Sequence, residues 1–187
     1  DNKPVEFFNT YLPISHKALL KLGYFSTNAI FSIATSMATF IAKGGEIHII
    51  TNHILREKDR RIIEDDYTES IFIESVIHDE KRLAKLIKTG SDHFFSCLKY
   101  LRHKNRLSIQ PVKTKSGTLA HYKDGVLIDS KNNKISFTGS CNFTHKGLVE
   151  NGESISVHYS WDGPGDEKVV REDYNLIIKI IEKESEE

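Results

Sequence analysis

Cysteine, tryptophan and methionine are scarce in this 187-residue chain, which holds two cysteines, one tryptophan and one methionine. Cys97 and Cys141 stand far apart and form no CxxC pair, so neither a disulfide framework nor a cysteine-based metal site is indicated. No stretch approaches the ~20 continuous apolar residues of a membrane span. An excess of one charge is missing too: 26 Lys and Arg balance 26 Asp and Glu, so bulk charge draws the chain neither to nucleic acid nor to an anionic membrane. Any affinity for a polyanion must be local. The chain also lacks a P-loop, an internal repeat and a low-complexity segment. With no signal-peptide pattern, the expected compartment is a reducing cytoplasm. A start at Asp1 and an end in "IIEKESEE" suggest a segment of a longer protein.

What is present reads as one α/β domain over residues 1–187, with a core over about 12–160 and a terminal helix and linker over 161–187. The later half of "KALLKLGYFS" (17–26) is a buried strand by its apolar content, and Ser26 or Thr27 offers a helix N-cap. "TNAIFSIATSMATFIAK" (27–43) keeps apolar residues at helical spacing and stops at Gly44 and Gly45, before the strand "EIHIITN" (46–52). Strand, helix and strand joined closely make a βαβ unit, hence a mixed, mostly parallel sheet sandwiched between helices. Residues 55–104 turn charged and predict two or three helices. "RLSIQPVKT" (106–114) is a strand near an edge, because Pro111 cannot donate to a ladder. "TLAHYKDGVLID" and "KISFTGS" form a hairpin about "SKNN" (130–133), "ESISVHYSW" (153–161) is a further strand, and residues 166–184 form an amphipathic helix.

The hairpin carries the candidate chemistry. Side chains alternate along a strand, so His121 and Lys123 emerge on one side and can meet one ligand. A lysine supplies charge for a phosphate and an imidazole can act as nucleophile or acid. By itself His-x-Lys is a chance pair in a chain with nine histidines. After the next strand comes "GSCN": Gly139 permits close backbone approach, while Ser140 and Asn142 add a hydroxyl and an amide. The plain alternative is a glycine turn into a short helix capped by Thr144. Glu153, entering a further strand, could accept a hydrogen bond from His121 and fix its tautomer. His145 and Lys146, just past the loop, are substrate-contact candidates with Thr144, and the remaining histidines read as surface or structural.

Together, His-x-Lys, an Asp, Gly-Ser-x-Asn and Asn-x-Glu resemble the HKD signature of the phospholipase D superfamily. The form "HYKDGVLID…NKISFTGSCNFT…GLVENGESISVHYSW" is most similar to the phospholipase D-like nuclease domains joined to restriction-type helicases. That resemblance implies a single motif per chain and a homodimer whose two motifs form one composite site. It implies a metal-free, cofactor-free phosphodiesterase acting on DNA, with His121 as nucleophile and Lys123, Ser140 and Asn142 on the phosphate oxygens. A helicase or ATPase domain, in the same or a partner chain, would be its companion. The family places four residues between lysine and aspartate, whereas five, "DGVLI", precede Asp129 here. In a regular strand this puts Asp129 on the His121 face unless Gly125 makes a bulge, and makes Glu153 the better residue to orient His121. Cys141 fills the variable slot of the motif and is expected to pack inside. Basic runs "KYLRHKNR" (99–106) and "KTK" (113–115) are candidate phosphate tracks, with a solvated helix end as the alternative. A phospholipid phosphodiesterase or transferase, and a non-catalytic nucleic-acid-binding module of the same fold, are the competing functions.

Overall fold

The computed structural model describes residues 3–52, 57–67, 70–90, 92–112, 122–140, 142–150 and 153–184. Helix α1 (Pro4–Tyr11) opens on a proline, whose fixed φ suits a first turn, and passes through a short 3-10 turn into β1 (Ser15–Leu22). The polar lead-in thus contains a helix that its composition did not announce. It is held by Phe7 and Phe8, both buried against Phe137. β1 starts earlier than expected and is buried on both faces, which its near-continuous apolar run requires.

The segment read as one helix is two, α2 (Asn28–Ser32) and α3 (Ala34–Ala42), because Ile33 leaves helical geometry at φ −121° and ψ 30°. Thr27 is the N-cap of α2 and makes no side-chain cap bond, while Ser26 Oγ, one residue earlier, accepts the Asn28 N–H at 3.3 Å. The βαβ unit then closes on β2 (Glu46–Asn52), parallel to β1. Where two or three helices were expected, four lie among the described residues: α4 (Glu57–Glu64), α5 (Ile71–Val76), α6 (Glu80–Thr89) and α7 (Asp92–His103). Periodicity alone missed the break after Glu64 and the short length of α5. β3 (Leu107–Val112) runs parallel to β2 and is an edge strand carrying Pro111, as read from the sequence.

The hairpin pairs β4 (Lys123–Asp129) with β5 (Lys134–Gly139), and β6 (Ile155–Tyr159) adds to β5. The sheet order is β3-β2-β1-β4-β5-β6. Two ladders, β1–β2 and β2–β3, are parallel and three are antiparallel, so four of the six strands, β1, β2, β3 and β5, share one direction. The terminal helix α8 (Pro164–Glu184) covers one face, where Ile177 packs with Leu19, Ile50, Val126 and Ile128. The other helices cover the opposite face over a larger core that includes Leu20, Ile49, Leu127 and Phe137. The architecture is therefore α-β-α around a mixed sheet.

Candidate active site

β1, β2, β3 and β5 all end at one edge of the sheet, and β4 and β6 begin there. The chain order turns from β2 on one side of β1 to β4 on the other, and such a switch point is where open α/β sheets take ligands. Lys123 opens β4 opposite Leu22, and the pairing of Asp124 with Thr138 sets Lys123 level with Gly139. Its stem lies in a small hollow with Leu22, Phe137, Phe143 and Ile155. Ser140, exposed, follows β5 directly, and its hydroxyl donates to Glu153 Oε2 in a short bond. Lys123, Gly139, Ser140, Asn142 and Glu153 are thus brought to one place from three strands. His121 and Cys141 lie outside the described residues, as does the "KTK" run.

The loop is built on its backbone. A Cβ at Gly139 would meet the Ser154 carbonyl at 2.5 Å and Ile155 Cγ2 at 2.8 Å, so β5 and β6 approach this closely only with glycine there. Thr144 N donates to the Asn142 carbonyl at 2.7 Å, and a Cβ at Gly147 would collide with that same carbonyl. Phe143, 3% exposed, packs edge-on against Phe8 and forms an isolated parallel bridge with Phe25. Asn142 is anchored by its neighbours, which sequence reading did not foresee; the aromatic in "NFT" was the available signal.

The other expected residues divide. Thr144 Oγ1 accepts the Gly147 N–H at 3.2 Å and caps the π-helical turn Lys146–Glu150, the plain alternative in the sequence. His145 Nδ1 lies 2.8 Å from Ser32 Oγ and its Nε2 3.5 Å from Glu150 Oε1, so it ties α2 to that turn. Lys146 is exposed beside it. Asp129 is separated from the group. The β4 ladder is regular at Gly125, with no bulge, so Asp129 does share the Lys123 parity, yet six residues of strand set it about 20 Å away. There Asp129 Oδ1 accepts from the backbone of Lys131 at 2.8 Å and Asn133 at 2.9 Å, and Oδ2 from Asn133 Nδ2 at 2.8 Å. Slight burial raises this carboxyl, but the Asn133 and Lys131 bonds outweigh it and hold the group below its usual range. Its role is to close the hairpin turn, in which Asn132 takes φ 65°.

On the α8 side, an unexpected charge supports β4. Lys21, 5% exposed, puts its Nζ 3.0 Å from Asp124 Oδ1 and 4.7 Å from the Tyr122 ring centroid. Burial pushes the Asp124 carboxyl up, Lys21 pulls it back, and Asp173 adds to the rise. Tyr122 and Asp124 flank Lys123, so this cluster holds the strand start from behind.

Three cations of the basic run at residues 99–106 make structural contacts. Lys99 pairs with Asp65 at 2.6 Å, Arg102 donates to the Ile62 and Asp65 carbonyls, and Arg106 to those of Ile41 and Gly45. The run also sits at the start of β3, the sheet edge remote from Ser140. A hollow of about 510 Å³ lies there as well, lined by Tyr67, Lys99, Arg102 and His103. Burial pushes the Cys97 thiol up to about 11, an unreactive interior cysteine. Burial likewise lowers His48, with its bond to Gln110 opposing, and His158 links β6 to Asp166 of α8 at 2.9 Å, so both are structural as expected. Among the described residues no three His, Cys, Asp or Glu side chains cluster to hold a metal ion, and no helix is long and apolar enough to cross a membrane.

No protein-family model and no curated protein matches the sequence. Among solved structures, NucT from Helicobacter pylori is similar with a TM-score of 0.51 at 16% identity, over 96% of this chain and 87% of that one. At that identity the likeness is one of fold. With the strand order and layers above, it places the chain in the phospholipase D-like α-β-α fold class.

Proposed function

We propose that the chain is a metal-independent phosphodiesterase, a DNA endonuclease module of a restriction or defence-type helicase protein, with a composite site formed by a homodimer. The observation that carries this reading is the meeting of Lys123, Ser140, Asn142 and Glu153 at the sheet edge where the His121 segment enters β4. One such set supplies half of what an in-line displacement needs, since nucleophile and acid must stand on opposite sides of phosphorus. A two-fold axis supplies the other half.

In the first step a ring nitrogen of His121 attacks phosphorus, the P–N bond forms and the P–O bond to the leaving strand breaks. The partner subunit's His121, protonated, gives its proton to the departing oxygen. In the second step that imidazole takes a proton from water, whose oxygen attacks phosphorus as the P–N bond breaks. Lys123, Ser140 and Asn142 hold the non-bridging oxygens, where preorganised donors contribute most. Glu153 accepts the Ser140 proton in the free site; with phosphate bound, that O–H turns to a non-bridging oxygen and Glu153 is left to support His121. The test is cleavage of labelled DNA with excess EDTA by the wild type and by His121→Ala, beside size measurement in solution. Cleavage that survives the chelator, vanishes in His121→Ala and belongs to a dimer is expected. Cleavage that requires added magnesium, or that a strict monomer performs fully, overturns it.

A further inference from the structure

We infer that Lys81, Lys85 and Lys88 of α6 form a phosphate track along which a DNA strand leaves the candidate site, a role that depends on the phosphodiesterase reading above. At about 100° per residue the three lysines fall within about 60° of one another, on the side of α6 opposite the buried Leu83 and Ile87. All three are exposed, and among the described residues no acidic side chain pairs with them. Lys81 and Lys85 stand four residues apart, a like-charge spacing that costs a helix stability, and Lys81 also opposes the positive end of the helix dipole. Only Lys88, in the last turn, helps the helix. Elsewhere the helices set cations beside acids: Arg61 with Glu57 in α4, Lys99 of α7 with Asp65, and Arg171 with Glu167 in α8. With 26 Lys and Arg against 26 Asp and Glu, the stripe is not a by-product of a basic composition.

The packing of α6 points this stripe at the site. Its first turn meets α3, where Thr39 Oγ1 donates to Glu80 Oε2 at 3.1 Å. Its other end meets α2: a Cβ at Gly90, which closes the helix at φ 57°, would stand 2.7 Å from the Phe31 ring. The residue after Phe31 is Ser32, whose hydroxyl lies 2.8 Å from His145 Nδ1, and exposed Lys146 follows His145 in the turn just past Asn142. Lys88 is therefore the near end, and Lys81 the far end, of a cationic row that begins beside the phosphate loop. From Lys81 to Lys88 the helix rises about 10 Å, the axial length of about three phosphates of one strand. The row itself carries no exposed large apolar side chain, which a helix lying on an anionic membrane needs, so its charge suits a polynucleotide backbone.

The experiment follows the anisotropy of labelled single-stranded and duplex oligonucleotides between about 50 and 200 mM salt, with EDTA present, beside their cleavage. Wild type is compared with the triple variant Lys81→Gln, Lys85→Gln, Lys88→Gln. A second triple variant, Lys131→Gln, Lys179→Gln, Lys183→Gln, removes the same charge from exposed lysines outside α6. The α6 variant is expected to weaken Kd about 10-fold or more, and to lower the slope of log Kd against log salt by about 2 on the single strand and about 3 on the duplex. Cleavage lost at low DNA concentration should return at saturation. A dinucleotide, too short to leave the loop, should be bound alike by the α6 variant and wild type, and the second variant should match wild type throughout. Equal losses in both variants, an unchanged slope, or a dinucleotide weakened as much as the oligonucleotide would each overturn the track. So would lysines that hold phosphatidylserine vesicles and not DNA. If wild type binds DNA with a lysine-dependent slope but cleaves nothing, the nuclease reading fails while the track stands. If it cleaves DNA and the α6 variant matches it in Kd and slope, the track fails while the nuclease reading stands.

Discussion

Replacing Lys21 with methionine probes how the site is held from behind. Methionine keeps much of the apolar stem and removes the charge. The wild-type ammonium is almost fully buried, 3.0 Å from Asp124, whose side chain retains 27% exposure. Removing one partner of a fully buried pair costs about 3–5 kcal/mol; the access of Asp124 to water and to protons reduces this to about 2–3 kcal/mol. For a chain of this size that lowers Tm by roughly 5–10 °C. The pH dependence has a definite sign. Asp124 is raised in the folded state, so the native protein binds more protons than the unfolded chain between the ordinary carboxylate range and the raised value, and stability falls as pH rises through that window. Without Lys21 the carboxyl rises further and the window extends upward. The deficit of Lys21→Met against wild type is therefore largest at neutral pH and shrinks as pH falls through and below the raised carboxyl's range, where Asp124 becomes protonated in both. Adding Asp124→Asn to Lys21→Met should recover part of the loss. Denaturant melts of the four proteins of this cycle, across pH, provide the measurement. A deficit under about 0.5 kcal/mol, or one that does not change with pH, would refute the account, since surface substitutions alone reach that size.

Asp129→Ala should cost about 1–2 kcal/mol, from the loss of three hydrogen bonds in the hairpin turn, while kcat on DNA stays unchanged. Because its folded carboxyl lies below the ordinary range, the contribution of Asp129 is present at neutral pH and fades as pH falls through the folded value; Asp129→Asn should flatten that acid limb in denaturant melts. Phe143→Ala should destabilise by about 3–4 kcal/mol in the same melts, since the ring is buried against Phe8 and Phe25, and Phe143→Leu by less. Cleavage by the leucine variant should drop more through kcat than through KM, because Asn142 shifts and its hold on the non-bridging oxygens matters most where charge builds up in the transition state.

Local pattern in the chain was enough to determine several things. Apolar periodicity and glycine stops marked the βαβ unit, the edge strand with Pro111, the hairpin and the last helix. Strand parity put Lys123 and Asp129 on one side of β4, and the regular ladder at Gly125 shows that this parity is real. The glycine, hydroxyl and amide of residues 139–142 marked a loop at a strand end, with a phosphate loop and a plain glycine turn both open on sequence alone. Other features depended on tertiary structure. Parity gives a face and not a partner, so only the turn contacts showed that Asp129 serves the hairpin. Composition offered "KYLRHKNR" as a phosphate track, and only packing revealed that Lys99 pairs with Asp65 and that Arg102 and Arg106 bond to the carbonyls of Ile62, Ile41 and Gly45. The ion pair of Lys21 with Asp124 exists only because β4 lies against β1, which no local pattern shows. The bridge of Phe25 to Phe143 joins residues 118 positions apart (143 − 25). Sequence periodicity reports how each segment meets solvent, whereas strand order, buried charge and the meeting of remote loops follow from which segments exclude water together.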